Sequence, residues 1–324
     1  MKALVFTQYK SLEHLELLDV PDPQPKEDEL LVRVHASSVN SWDWEYFSGV
    51  PFANRAMFGL FRPKLGKQRL GADIAGVVES IGPSVTRFKP GDEVFGDLWD
   101  CWGGFAELAC IRETFVERKP ANLSFVQAAA VPQAGVLALG GYRKKKVVRS
   151  DHKVLINGAG GGVGSFAIQL AKLDGAEVTG VDAPHKLDAI KTIGADHTLD
   201  YTQEDWAERG FLYDLIIDCN LSRPLSRCKR ALAPGGIYAV IGGETFRILR
   251  IMLGKYYAAL RHTSMPFQVV MDGPSKGLDS LGELLETNQL VPVLDKTFSL
   301  DKVPEALRYF NEGRHIGKIV ITVR

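Results

Sequence analysis

The stretch VLINGAGGGVG, Val154 to Gly164, puts five glycines into its last seven residues directly after an apolar run. It restricts the fold more than any other part of the chain. A strand that runs through a glycine turn into a helix lets backbone N–H groups and the positive helix end approach a pyrophosphate without interference from Cβ atoms. The spelling GxGxxG is absent; Ala159-x-Gly161-x-x-Gly164 stands instead, with alanine in the first position. Ala159, Gly160, Gly161, Gly162, Val163 and Gly164 are therefore the candidate cofactor cradle. A second strand, AEVTGVD, ends in Asp182, eighteen residues after Gly164, about where a carboxylate that accepts ribose hydroxyls belongs. Together these features predict a doubly wound parallel sheet that binds a dinucleotide.

The rest of the chain must then be a second body, because 324 residues exceed one ordinary core. Over 1–122 the signals are short and β-like, as in ELLVRVHASSV, AGVVESIG and GDEVFG, with Pro and Gly turns between them. Over 123–288 strands alternate with helices, which predicts parallel βαβ units. Over 289–324 the pattern is β-like again and closes on GKIVITV. The expectation is an α/β protein with a β-rich domain split in sequence and a doubly wound domain inserted in its middle. Ligands of such sheets sit beyond the carboxyl ends of the strands. That selects Cys219 and Asn220 after YDLIID, and Gly242 and Gly243 after IYAVI.

Composition removes several function classes. Lys and Arg number 39, as do Asp and Glu, so no global charge argues for nucleic acid. No run of about 18 apolar residues predicts a membrane span. MKALVF reads as an opening strand, and the four cysteines are too few and too scattered for a disulfide framework. A cytoplasmic protein is expected. Two basic stretches stand out, YRKKKVVRSDHK (Tyr142 to Lys153) and FRILRIMLGKYYAALRH (Phe246 to His262). The sequence favours a solvated loop for the first, and for the second a helix over a cleft or a subunit interface. Contact with anionic lipid or RNA is the other reading.

The blocks LGADIAGVVESIG, FKPGDEVFG, GGFAEL, NLSFVQAAAVPQAG, VLINGAGGGVGSFAIQLAK and IGADHTLDYTQED resemble the zinc-independent quinone oxidoreductase branch of the medium-chain dehydrogenase/reductase superfamily, in order and essentially end to end. The resemblance implies a GroES-like substrate domain in two segments around a Rossmann domain, an active site in the cleft, and a homodimer. It implies that Asn40, Asp43 and Tyr46 fall near the nicotinamide: Asn40 to orient nicotinamide or acceptor carbonyl, Tyr46 to donate a hydrogen bond or a proton, Asp43 as site residue or helix cap. Trp42 and Trp44 would be apolar walls. Gln133, Gly317 and Lys318 are carried over as cofactor contacts. Lys186 and Tyr201, fifteen apart, match a lysine and a tyrosine that hold the 2′-phosphate of NADP in related quinone reductases.

Zinc is not expected. Asn40 stands where a zinc alcohol dehydrogenase has its first cysteine, LGADIAG lacks the usual His-Glu pair, and no cysteine pair has CxxC spacing. Without a Lewis acid, hydride transfer to an already polarised acceptor, a quinone or an α,β-unsaturated carbonyl, fits better than oxidation of a plain alcohol. Asp182 would disfavour a 2′-phosphate, so a moderate preference for NADH is expected with NADPH still accepted. The competing function class is a nucleotide-binding interaction protein of the same fold with little catalysis, as in crystallin relatives.

Overall fold

The computed structural model describes residues 1–50, 55, 59–64, 68–99, 102–143, 148–243, 245–260, 265–270 and 273–323. Within 245–260 the side chains of 245, 246, 255 and 258–260 lie outside this description. So do Cys101 and residues 144–147 of the basic loop.

The chain forms two compact units, Met1–Val136 with Gly273–Arg324, and Leu137–Asp272. The first segment supplies β1 (Lys2–Phe6), β2 (Leu15–Asp19), β3 (Glu29–Ser38), helix α1 (Ser41–Ser48), β4 (Asp73–Ile81), β5 (Glu93–Asp97), β6 (Leu108–Arg112), β7 (Val116–Arg118) and α2 (Phe125–Ala129). Helix α3 (Pro132–Arg143) leads into the second unit, with β8 (Lys153–Asn157), α4 (Gly162–Leu173), β9 (Glu177–Asp182), α5 (Leu187–Ile193), β10 (His197–Asp200), β11 (Tyr213–Asp218), α6 (Leu225–Arg230), β12 (Leu232–Val240), α7 (Thr245–Leu260) and β13 (Phe267–Val269). The return segment adds α8 (Leu278–Glu286), β14 (Leu294–Ser299), α9 (Val303–Asn311) and β15 (Lys318–Thr322).

The first unit is the GroES-like one. Its main sheet runs β14-β15-β3-β4-β5-β7 with β6 also on β3, and β15 from the return segment pairs antiparallel with β3. Strand β3 shows why: Leu30, Val32 and Val34 alternate onto one face and pack with Ile74, Val78 and Val94 in one cluster. The second unit has the order β10-β9-β8-β11-β12-β13, all parallel. Numbered within the unit this is the Rossmann order, whose switch point lies between β8 and β11. Val154, Leu155 and Ile156 are all fully buried, as a strand covered on both faces requires.

The units divide at 136/137 and 272/273, whereas the sequence patterns change character at 122/123 and 288/289. Helical pattern and domain membership differ here because α2 and α8 are helices of the β-rich unit. Ser124 caps α2 reciprocally with Gln127, at 2.9 and 3.3 Å, and α2 packs on β3 and β4. Helix α8 packs beside β7, and Asn122 Nδ2 donates to Leu285 O at 2.9 Å. Among the described residues no helix is long and apolar enough to cross a membrane.

Candidate functional site

The glycine turn sits at the switch point of the parallel sheet, directly after β8. Gly164 is required by packing: a Cβ there would lie 2.2 Å from Gly158 O and 2.6 Å from Ala159 Cα. Gly161 is the opposite case, since a Cβ there would meet only Gly158 O, at 3.5 Å. Gly161 is also the N-cap of α4 and gives it no side-chain cap. The helix opens through Gly162 and Val163 with its leading N–H groups left for a ligand. Ala159, in place of the first glycine, is fully buried, and its Cβ would stand 3.1 Å from a Cβ added at Gly180. These residues fit a dinucleotide pyrophosphate, because bare backbone and a helix N-terminus meet at one place.

Asp182 ends β9 beside this turn. One carboxylate oxygen accepts from Gly160 N and the other from Ala183 N, both at 2.8 Å. Lys186 Nζ lies 3.7 Å from Asp182 Oδ1, with side-chain exposures of 7% and 11%. Tyr201 follows β10, half exposed, and its N–H donates to Asp182 O at 3.3 Å. The structure thus gathers Gly160, Asp182, Lys186 and Tyr201 at the carboxyl ends of β9 and β10.

Cys219, Asn220, Gly242 and Gly243 also come together. Added Cβ atoms at Gly242 and Gly243 would lie 2.8 Å from Cys219 O and 2.4 Å from Leu221 Cβ. Here glycine serves the close approach of two loops. Asn220 Nδ2 and Cys219 Cβ would each be 3.1 Å from a Cβ at Gly158, so this loop lies against the glycine turn. Burial, then Asp218, push the Cys219 thiol up, which keeps it protonated. The loop is organised by a residue the sequence reading missed: Asp218 Oδ1 accepts from Asn157 Nδ2 at 2.8 Å and from the N–H groups of Asn220 and Leu221 at 2.9 Å, and Tyr238 OH bonds its other oxygen.

In the first unit the centre is Asp73, fully buried at the start of β4. Its Oδ2 accepts from Ser38 Oγ at 2.7 Å, Asn40 Nδ2 at 2.9 Å and Lys318 Nζ at 3.3 Å, and its Oδ1 from Gln133 N at 2.9 Å. Lys318 also donates to Asn40 Oδ1 and, at 3.1 Å, to Val39 O. Asn40 is therefore clamped between a buried acid and a buried ammonium. Gly317 turns the chain into β15 with φ 72°, and a Cβ there would meet Val293 O at 2.2 Å. Lys318 and Gly317, expected as cofactor contacts, are engaged within this unit. Gln133 is buried too, and among the described residues its Nε2 has no hydrogen-bond partner. A buried amide without a partner costs free energy unless a ligand supplies one.

Two further carboxylates border the cluster. Asp43, third in α1, accepts from Asn40 N and Gly71 N at 2.8 Å each, so it is both helix cap and part of the cluster. Asp97 pairs opposite Asp73 across β4 and β5; burial and then Asp73 push it well above the usual carboxylate range. Burial, opposed by its two backbone bonds, pushes Asp43 up to about 7. Its carboxyl binds a proton more tightly in the folded chain than in the unfolded one. That stability is complete below about pH 4 and is lost as the pH rises to about 7. The midpoint of chemical unfolding of the wild type is expected to fall over that window, and Asp43→Asn to flatten the dependence. A wild-type midpoint that climbs from pH 4 to 7 would contradict the assignment.

Tyr46, expected at the site as a donor, is only 2% exposed. Its ring packs edge-on to Phe6 at 5.1 Å and against Trp102 at 5.1 Å, and burial raises its hydroxyl well above the ordinary range. A side chain at that depth is part of the core. Tyr46→Phe is therefore expected to change turnover by less than about ten-fold, below the roughly 100-fold or more that losing a general acid costs; a fall in kcat of that size at unchanged stability would return the hydroxyl to the chemistry. Trp42 is partly exposed with its ring 4.3 Å from Trp99, and Trp44 packs on Phe47.

Among the described residues no group of three or more His, Cys, Asp or Glu could hold an ion, and the place of a cation at Asp73 is taken by Lys318. A glycine turn at the switch point of a six-stranded Rossmann sheet, with an acid closing the second strand, defines a dinucleotide-binding fold of medium-chain type. Residues 26–157 match the alcohol dehydrogenase GroES-like domain family, and residues 193–321 the zinc-binding dehydrogenase family. A Solanum lycopersicum protein named 2-methylene-furan-3-one reductase is 32% identical over 99% of this chain and 79% of its own. The quinone-oxidoreductase QR1 of Triphysaria versicolor is 32% identical over 99% and 98%. The solved quinone oxidoreductase of Coxiella burnetii superposes over 100% of this chain and 99% of its own, with TM-score 0.84 and 28% identity. The chain belongs to the medium-chain dehydrogenase/reductase superfamily, in its quinone oxidoreductase-like branch.

Proposed function

We propose that the chain is an NAD(P)H-dependent reductase that delivers hydride to a quinone or an α,β-unsaturated carbonyl without a zinc ion. The observation that carries this reading is the bare glycine turn beside the Asp182–Lys186 pair, a place shaped for a dinucleotide. The bound nicotinamide supplies the hydride. The chain supplies position: the N-terminus of α4 for the pyrophosphate, Asp182 for the adenosine ribose, and Cys219 and Asn220 against the turn. Gln133, whose Nε2 has no hydrogen-bond partner among the described residues, is the donor we assign to an amide or carbonyl oxygen of nicotinamide or acceptor. Asn40, held by Asp73 and Lys318, is the residue we assign to orienting it. Cysteine usage adds a cytoplasmic location to the proposal, and the resemblance adds a homodimer.

Absorbance of NADH or NADPH, followed with a panel of quinones and enones, tests the reading. Turnover with at least one acceptor is expected. Cofactor binding without turnover on any acceptor would favour the crystallin-like class. The same protein is expected to contain no stoichiometric zinc and to keep its activity in chelator, because Asn40 and the lysine-occupied Asp73 offer no thiolate or imidazole set. About one zinc per chain, lost together with activity, would refute the zinc-free mechanism.

A further inference from the structure

Helix α7, 16 residues long, has two apolar faces, and the core uses one of them. Ile251 is fully buried in the cluster around Tyr238 and Phe267, with Ile248 packed against it. On the other side Leu249, Met252, Leu253, Tyr256 and Tyr257 are 49%, 44%, 61%, 67% and 59% exposed. Their spacing, i, i+3, i+4, i+7 and i+8, places them in one continuous stripe. Single exposed apolar residues are ordinary in a soluble protein, whereas a stripe of large ones marks a surface that meets something.

Charge identifies what it meets. The whole chain is neutral, yet from Cys219 to Val270 eight Lys and Arg stand against one acid, Glu244. Arg223 and Arg227 are committed to Asp205 and Glu208, and Arg247 donates to Leu221 O at 2.9 Å. Arg250 is exposed on the same helix as the stripe, and α7 contains no Asp or Glu at all. A second copy of this helix would bring like charges together with no acid to pair them. An anionic bilayer surface satisfies each part: leucine and methionine enter the acyl boundary, tyrosines stay at headgroup level, and basic groups meet lipid phosphate and carboxylate. At 16 residues the helix is short for a span and suited to lying in the interface.

We propose that α7 docks the protein peripherally on an anionic lipid bilayer through the Leu249–Tyr257 stripe. The inference does not depend on the reductase reading. Its test is sedimentation of the full chain with vesicles of phosphatidylcholine alone and of phosphatidylcholine mixed with phosphatidylserine, at low and at high salt. Binding to the mixed vesicles is expected, weakened by salt and weak on the neutral ones. Arg250→Glu and Leu253→Glu are each expected to lower it by about ten-fold or more. Both positions are exposed, so circular dichroism and the melting midpoint should match the wild type. No binding to mixed vesicles, equal binding to neutral ones, or binding indifferent to both substitutions overturns the proposal. If light scattering shows a dimer that Leu253→Glu alone converts to monomer, the stripe is a self-association surface and the lipid proposal falls.

Discussion

Replacing Lys318 by methionine is expected to cost about 3–5 kcal/mol of stability, the cost of removing one partner from a buried ion pair. Asp73 is fully buried and Lys318 nearly so, with 3.3 Å between Nζ and Oδ2. Methionine matches the length of the stem but leaves Asp73 an uncompensated charge and takes the donor from Asn40 Oδ1 and Val39 O. The neighbours cannot help, because Asp43 and Asp97, both pushed up chiefly by burial, bring no positive charge. The measurement is the urea midpoint of the variant at unchanged m-value. Adding Asp73→Asn to Lys318→Met should recover part of the loss, since it removes the stranded charge. A single variant as stable as the wild type would mean that water or a rearranged side chain replaces the ammonium, and the clamp on Asn40 would lose its basis.

That cluster also shows how much of the site the sequence made legible. The glycine turn, Asp182 and the strand ends could be read because backbone chemistry writes itself into local spelling: a missing Cβ at Gly164 and an acid at the end of a β-branched run. The Asp73 cluster could not. Its members come from β3, α1, β4, α3 and β15, up to 279 positions apart, and no local pattern joins them. The block LGADIAG told only that a zinc ligand pair is missing, while its acid proves to be the hub. Lys318 reads as a cofactor contact by resemblance, yet it reaches three groups within the β-rich unit. Strands β10 and β13, of four and three residues, are too short for periodicity to reveal. Helix α7 was legible as a basic helix, but the exposure of one apolar face depends on what the fold leaves uncovered, and sequence carries no record of that.

The Asp182→Ser variant is expected to move cofactor preference towards NADPH by about ten-fold or more, or about 1.4 kcal/mol in the ratio of kcat/KM values. A carboxylate at the end of the second strand can accept both ribose hydroxyls of NADH and repels a 2′-phosphate. Like charges about 4 Å apart at an effective dielectric near 20 interact by roughly 4 kcal/mol. Two features of this site reduce that figure. Lys186 stands 3.7 Å from Asp182 Oδ1 and offsets much of its charge, and the N–H groups of Gly160 and Ala183 hold the carboxylate on the turn. The wild type is therefore expected to prefer NADH only moderately and to accept NADPH. Serine removes the repulsion and releases a nearly buried ammonium for the phosphate, beside the half-exposed Tyr201. Lys186→Ala should move the ratio the opposite way, which separates electrostatics from a general loosening of the turn. A wild type that already prefers NADPH strongly, with a ratio that Asp182→Ser does not change, would show that Asp182 serves only to brace the glycine turn.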